Sequence, residues 1–198
     1  DGEAVLCDVA VVGIGVTPNI EWLEGSGIEV DRAVLCDQYM RTSVPDVYAL
    51  GDLASWYNSV FDRRMRVEHW TNTVEQAVVV ARNILAGDDP SPYAGIPYFW
   101  SDQYGHRLQL AGLATSDDVV FVHDPDGEQS LLALFRDGDR LVGAFAIDQV
   151  QAVMKMRALV QRQVMFDEAL ELAAENITVN GVEPGYIRTA AMELLADE

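Results

Sequence analysis

Residues 42–54 read TSVPDVYALGDLA, and the reading of this stretch decides the fold. A short apolar run, Val47 to Leu50, ends in the pair Gly51-Asp52. Such a run, bounded by turn residues, predicts a buried strand of a parallel sheet. A glycine at the end of the strand permits close approach of backbone to a ligand, and the aspartate adds an acceptor. Ligands of open α/β sheets bind outside the carboxyl ends of the strands, where this pair falls. On the residues alone a plainer reading stays open, in which Asp52 caps a helical turn.

Upstream, Asp8 to Gly15 (DVAVVGIG) predicts another strand buried on both faces, broken by Thr17-Pro18-Asn19. Asn19 to Ser26 suits a short helix closed by glycines, and Ile28 to Cys36 a hairpin turning near Asp31-Arg32. Downstream, Glu68-His69-Trp70-Thr71-Asn72 leads into a helical pattern from Asn72 to Ala86. Asn72 and Glu75 have capping-box spacing, and Gly87 marks the far end. A helix start carries partial positive charge and free N–H donors, so it suits an electron-rich ligand. The alternative is a solvent-facing helix start beside a core tryptophan.

From about Ile96 the pattern turns into an antiparallel meander. Strands are predicted at Arg107 to Leu113, Val119 to His123, Gln129 to Phe135 and Arg140 to Ile147. Asp124-Pro125-Asp126-Gly127 and Asp137-Gly138 supply turn chemistry between them, and a helix from Gln149 to Gln163 follows. Before these strands stands an aromatic cluster, Tyr98-Phe99-Trp100.

The formal charge is -19, from 32 acidic and 13 basic residues, and Lys155 is the only lysine. That balance disfavours phosphate backbones, so no nucleic-acid partner is expected. It reads as a solubilising acidic surface, or as a face that steers a basic electron carrier. No apolar run is long enough to span a membrane, and no signal peptide is read at the start. Cys7 and Cys36 form no CxxC, and His69, His106 and His123 have no ligand spacing. No metal site or disulfide framework follows, and a reduced cytoplasmic compartment is the default.

Three stretches together carry a family resemblance. Thr42, Val47, Tyr48, Ala49, Gly51 and Asp52 match the second FAD-binding motif of two-dinucleotide flavoprotein reductases. Glu68-His69-Trp70-x-Asn72 resembles the segment beside the flavin, and Phe99-Trp100-Ser101-Asp102-Gln103-Tyr104 the start of the C-terminal domain. Residues 1–168 therefore resemble the C-terminal portion of the FAD-dependent ferredoxin, rubredoxin and putidaredoxin reductases. The implied fold is α/β, a remnant of a two-dinucleotide-domain FAD/NAD(P) fold. An α+β C-terminal reductase domain with an antiparallel meander follows it.

The resemblance implies four segments. They are the end of an NAD(P)H-binding domain (1–17), the second part of an FAD-binding domain (18–95), a C-terminal reductase domain (96–168) and a tail (169–198). It implies cofactor contacts from Gly51, Asp52, Glu68, His69, Trp70 and Trp100, with Asp52 on a ribityl hydroxyl and Trp100 near the isoalloxazine ring. NAD(P)H would be the electron donor, and a ferredoxin- or rubredoxin-type iron–sulfur protein the acceptor. No catalytic acid, base or nucleophile is expected, since direct hydride and electron transfer needs none.

Departures from the pattern set further expectations. No G-x-G-x-x-G follows a strand, and Pro18 follows Gly13-x-Gly15 too closely for a helix. The expectation is a chain without the family's N-terminal half, inactive alone and a poor binder of FAD. The tail resembles a short-chain dehydrogenase/reductase fragment, with Pro184, Gly185, Ile187 and Thr189 at the matching loop positions. That family's Tyr-x-x-x-Lys pair is missing, since Gln151 precedes Lys155 by four. Other readings that stay open are a thiol–disulfide reductase, a dehydrogenase fragment, and a non-enzymatic product held by a partner.

Overall fold

The computed structural model describes residues 4–114, 118–123, 131–174 and 182–183. The chain builds two sheets. The smaller contains β1 (Val34–Leu35), β2 (Ala54–Asn58) and β3 (Arg63–Met65), with β1 parallel to β2 and β2 antiparallel to β3. The long helix α1 (Trp70–Ala86) follows β3. Trp56, Met40, Val34, Ala54 and Tyr93 form the core of this part, with the rings of Trp56 and Tyr93 5.5 Å apart.

The larger sheet comprises β4 (Tyr98–Gln103), β5 (His106–Gly112), β6 (Asp118–His123), β7 (Leu131–Asp137), β8 (Arg140–Ile147) and the two-residue β9 (Val182–Glu183). Its order is β4-β5-β8-β7-β6-β9, antiparallel throughout. Alternating burial along β8, where Leu141, Ala144 and Ala146 point inward, marks one covered face. Helices α2 (Val150–Gln161) and α3 (Phe166–Ala174) cover it, with Val153, Met156, Phe166, Ala169 and Ala173 in its core. The position 168/169 lies inside α3.

The meander was legible. β8 has the predicted bounds, β5, β6 and α2 fall within a residue or two, and Asp137-Gly138 turns β7 into β8. β4 is additional, a strand where the sequence showed an aromatic cluster. The start predicted for β7 at Gln129, the turn at residues 124–127, and Pro184, Gly185, Ile187 and Thr189 lie outside the described residues.

Several expectations fail in the first half. Residues 8–15 form no strand, and Val11 and Ile14 are 95% and 92% exposed. A strand buried on both faces needs hydrogen-bonded neighbours and two covering layers, and no described segment pairs with this one. Val47 to Leu50 is likewise not a ladder strand. It is half-buried and makes a single bridge, Tyr48 to Arg41.

The helix at Asn19–Ser26 shrinks to one 3-10 turn, Glu21–Leu23. The hairpin at Ile28–Cys36 shrinks to one bridge, Val30 to Val34, because Val34–Leu35 pairs parallel with β2 instead. Finally, Asn72 does not cap α1. The helix begins two residues earlier with His69 at the cap, and buried Asn72 donates to the Val67 carbonyl at 3.3 Å. Gly87 does end the helix.

Candidate functional site

A cleft of about 1060 Å³ opens where the two sheets meet. Residues 63–70, leading out of β3 into α1, form one wall, and the start of β4 and end of β5 form the other. Glu68, His69 and Trp70 face Phe99 and Trp100 across it, with Gly112 at the back. Gly112 has φ +79°, and a Cβ there would sit 2.2 Å from the Val142 carbonyl oxygen. Only glycine lets β5 approach β8 this closely at the cleft floor.

His69 joins the two walls. Its ring meets that of Phe99 with centroids 4.9 Å apart. Its Nδ1 is buried without a hydrogen-bond partner among the described residues. Burial lowers its pKa below the ordinary 6.5, with the charges of Asp52 and Glu68 opposing. The imidazole is therefore neutral near pH 7. As the cap residue of α1 its side chain makes no capping hydrogen bond, so the first-turn N–H groups are left to other acceptors.

The aromatic wall is well braced. Tyr98 lies 5.7 Å from Trp100 between ring centroids, and the guanidinium of Arg107 covers Trp100 at 5.4 Å. Trp100 is 40% exposed and Trp70 79%, so neither is a core tryptophan. Thr71 Oγ1 donates to the Tyr98 carbonyl at 2.5 Å, stitching the first turn of α1 to β4.

Gly51 and Asp52 sit beside the cleft without lining it. They open a 3-10 turn (Gly51–Leu53) in which Gly51 is buried and Asp52 exposed. Two side chains hold that turn. Gln76 Oε1 accepts the Gly51 N–H at 2.7 Å, and Arg66 donates to the Asp52 carbonyl at 2.9 Å while pairing with the Glu68 carboxylate. Thus the structure gathers Glu68, His69, Trp70 and Trp100 in one cleft and places Gly51-Asp52 one residue contact away.

Sequence reading missed Gln76 and Arg66, which hold the Gly51-Asp52 turn, and the tether that Thr71 makes to Tyr98. One signal was available. Asn72, Gln76, Val80 and Asn83 recur at helical spacing and form the buried face of α1, so three polar side chains point inward. Buried amides are hydrogen-bonded, which marks them as tethers for backbone elsewhere.

Chemically the cleft suits a planar ring. Aromatic faces offer stacking, the α1 start offers N–H donors to an electron-rich edge, and the buried His69 Nδ1 has no hydrogen-bond partner among the described residues. Cys36 is buried and its thiol is pushed up to about 11, mainly by burial, so it is not a thiolate at neutral pH. Among the described residues no cluster could hold a metal ion, and no helix is long and apolar enough to cross a membrane.

Comparison with known proteins fits this geometry. The pyridine nucleotide-disulphide oxidoreductase family model matches residues 1–77, and the Reductase C-terminal model residues 98–179. Putidaredoxin reductase of Pseudomonas putida is 31% identical over 87% of this chain and 42% of its own length. The ferredoxin–NAD(+) reductase component of the anthranilate 1,2-dioxygenase system of Burkholderia cepacia is 36% identical over 84% and 41%. A crystal structure of the ferredoxin reductase for the CYP199A2 system of Rhodopseudomonas palustris superposes with a TM-score of 0.75 at 32% identity, covering 89% of this chain and 44% of that one. The chain thus spans about two fifths of the length of the curated relatives it matches. Two family models match in succession, one over each wall of the cleft, and across both the chain is similar to the ferredoxin, rubredoxin and putidaredoxin reductases.

Proposed function

We propose that this chain is a portion of a flavoprotein oxidoreductase that passes electrons from NAD(P)H through FAD to a ferredoxin- or rubredoxin-type iron–sulfur protein. The cleft at the α1 start would receive the isoalloxazine ring. One observation carries the reading: Phe99 and Trp100 face the uncapped first turn of α1 across a single cleft. When bound, FAD supplies the hydride acceptance and single-electron release.

The chain's own residues would bind, orient and shield. Backbone N–H groups at Trp70 and Thr71 would stabilise negative charge at the ring's edge. Trp100 and Phe99 would exclude water from its face. Asp52 would accept from a ribityl hydroxyl, with Gly51 allowing the approach and Glu68 holding Arg66 against the turn. No side chain in the cleft is assigned an acid–base role.

The glycine-rich loops for the FAD diphosphate and for NAD(P)H are assigned to polypeptide other than these 198 residues, because the sequence carries no G-x-G-x-x-G. The proposed division is residues 1–17 from the NAD(P)H-binding unit, 18–95 from the FAD-binding unit, 96–168 as the C-terminal reductase unit and 169–198 as a tail. Two unpaired cysteines suit a reducing cytoplasmic setting.

Co-expression tests the assignment. The chain would be produced with a polypeptide carrying the family's glycine-rich loops, and reduction of a ferredoxin by NADH or NADPH followed with added FAD. Reduction that requires both polypeptides supports the reading. Equal reduction without this chain, or tight stoichiometric FAD binding by this chain alone, contradicts it.

A further inference from the structure

We propose that Arg157, far from the cleft in sequence, is a positioning residue that sets the aromatic wall against the first turn of α1. Arg157 lies on α2, which packs on β5 and β8, and its side chain is only 20% exposed. Its guanidinium donates through Nε and Nη2 to the Ile96 carbonyl, at 3.1 and 2.7 Å. The same Nη2 reaches Glu75 Oε1 on α1 at 2.7 Å. The plane also covers the Tyr98 ring at 5.6 Å.

Both contacts run on to the cleft. Tyr98 packs on Trp100, its carbonyl accepts from Thr71, and its hydroxyl accepts from buried Gln109 at 2.6 Å. Glu75 accepts from the Tyr93 hydroxyl at 3.3 Å, which also donates to Asn72 at 3.0 Å in the first turn of α1. One guanidinium therefore touches the backbone before β4, the ring that supports Trp100, and the helix that carries His69 and Trp70. A planar fork with several donors can do this, and a lysine ammonium cannot span the same set.

The inference rests on the flavin reading for its consequence, but its test is run without flavin, so the two fail separately. Every tryptophan would be replaced by 5-fluorotryptophan, and the four 19F resonances (Trp22, Trp56, Trp70, Trp100) assigned by single Trp→Phe variants. Arg157→Lys keeps the charge and the α2 packing. It is expected to shift or broaden the Trp100 and Trp70 resonances and leave Trp22 in place. Glu75→Gln, which removes the charge on the α1 side, should move Trp70 and Trp100 in the same direction and stands as the second variant. An unmoved Trp100 resonance in either variant, or a Trp22 resonance that moves as much as Trp100, overturns the proposal.

Discussion

The side-chain oxygen of Gln76 accepts the backbone N–H of Gly51 at 2.7 Å, joining the middle of α1 to the Gly-Asp turn 25 residues earlier. Gln76 is fully buried, so the bond forms out of water. Replacing it with leucine leaves the Gly51 N–H buried and unpaired, at a cost of about 1–3 kcal/mol. Q76L should lower the denaturant midpoint and speed amide exchange at Gly51. Q76E, which keeps an acceptor in place, should protect that amide.

Gly51 itself allows little else. Its φ is +75°, and a Cβ would lie 3.1 Å from both Cγ2 and Oγ1 of Thr73. Gly51→Ala should cost about 1–2 kcal/mol through left-handed strain. Adding Thr73→Ser relieves only the Cγ2 contact. The double variant should recover part of the loss in thermal melting, giving a non-additive cycle.

His69 supplies a pH dependence. Its folded pKa is lowered from 6.5 by burial, so the unfolded chain takes up the proton first as pH falls. The stability it contributes is complete above about 6.5, and is lost as pH falls from there through the lowered folded value. Ring NMR titration should give His69 a pKa below 6.5. Phe99→Ala, which opens its packed face, should raise that value, and an unchanged titration would show that the contact does not bury the ring.

These residues also show what the sequence could tell. The meander was legible because β5 to β8 pair with each other inside the chain, so alternation and turn residues placed β5, β6 and β8 closely, while β7 runs two residues past its expected end. Residues 8–15 and 47–50 carry the same apolar β-branched signal, yet they find no sheet to enter among the described residues. An apolar run states that a segment wants neighbours, not that it has them. In the site, His69, Trp70 and Trp100 came from the family resemblance of their segments, and the structure places all three on one cleft. Gln76, Thr71 and Arg157 were not readable, because a tether is defined by the carbonyl or amide it reaches, and those partners lie 25, 27 and 61 residues away.

Titrating the chain with FAD shows whether the α1 start and the Phe99–Trp100 wall receive a flavin ring. Tryptophan emission and the flavin visible band would be followed together. Weak, saturable binding that quenches tryptophan emission and perturbs the flavin band is expected, and Trp100→Ala should abolish it. Absence of any saturable change, or binding that survives Trp100→Ala unaltered, would contradict a flavin site there.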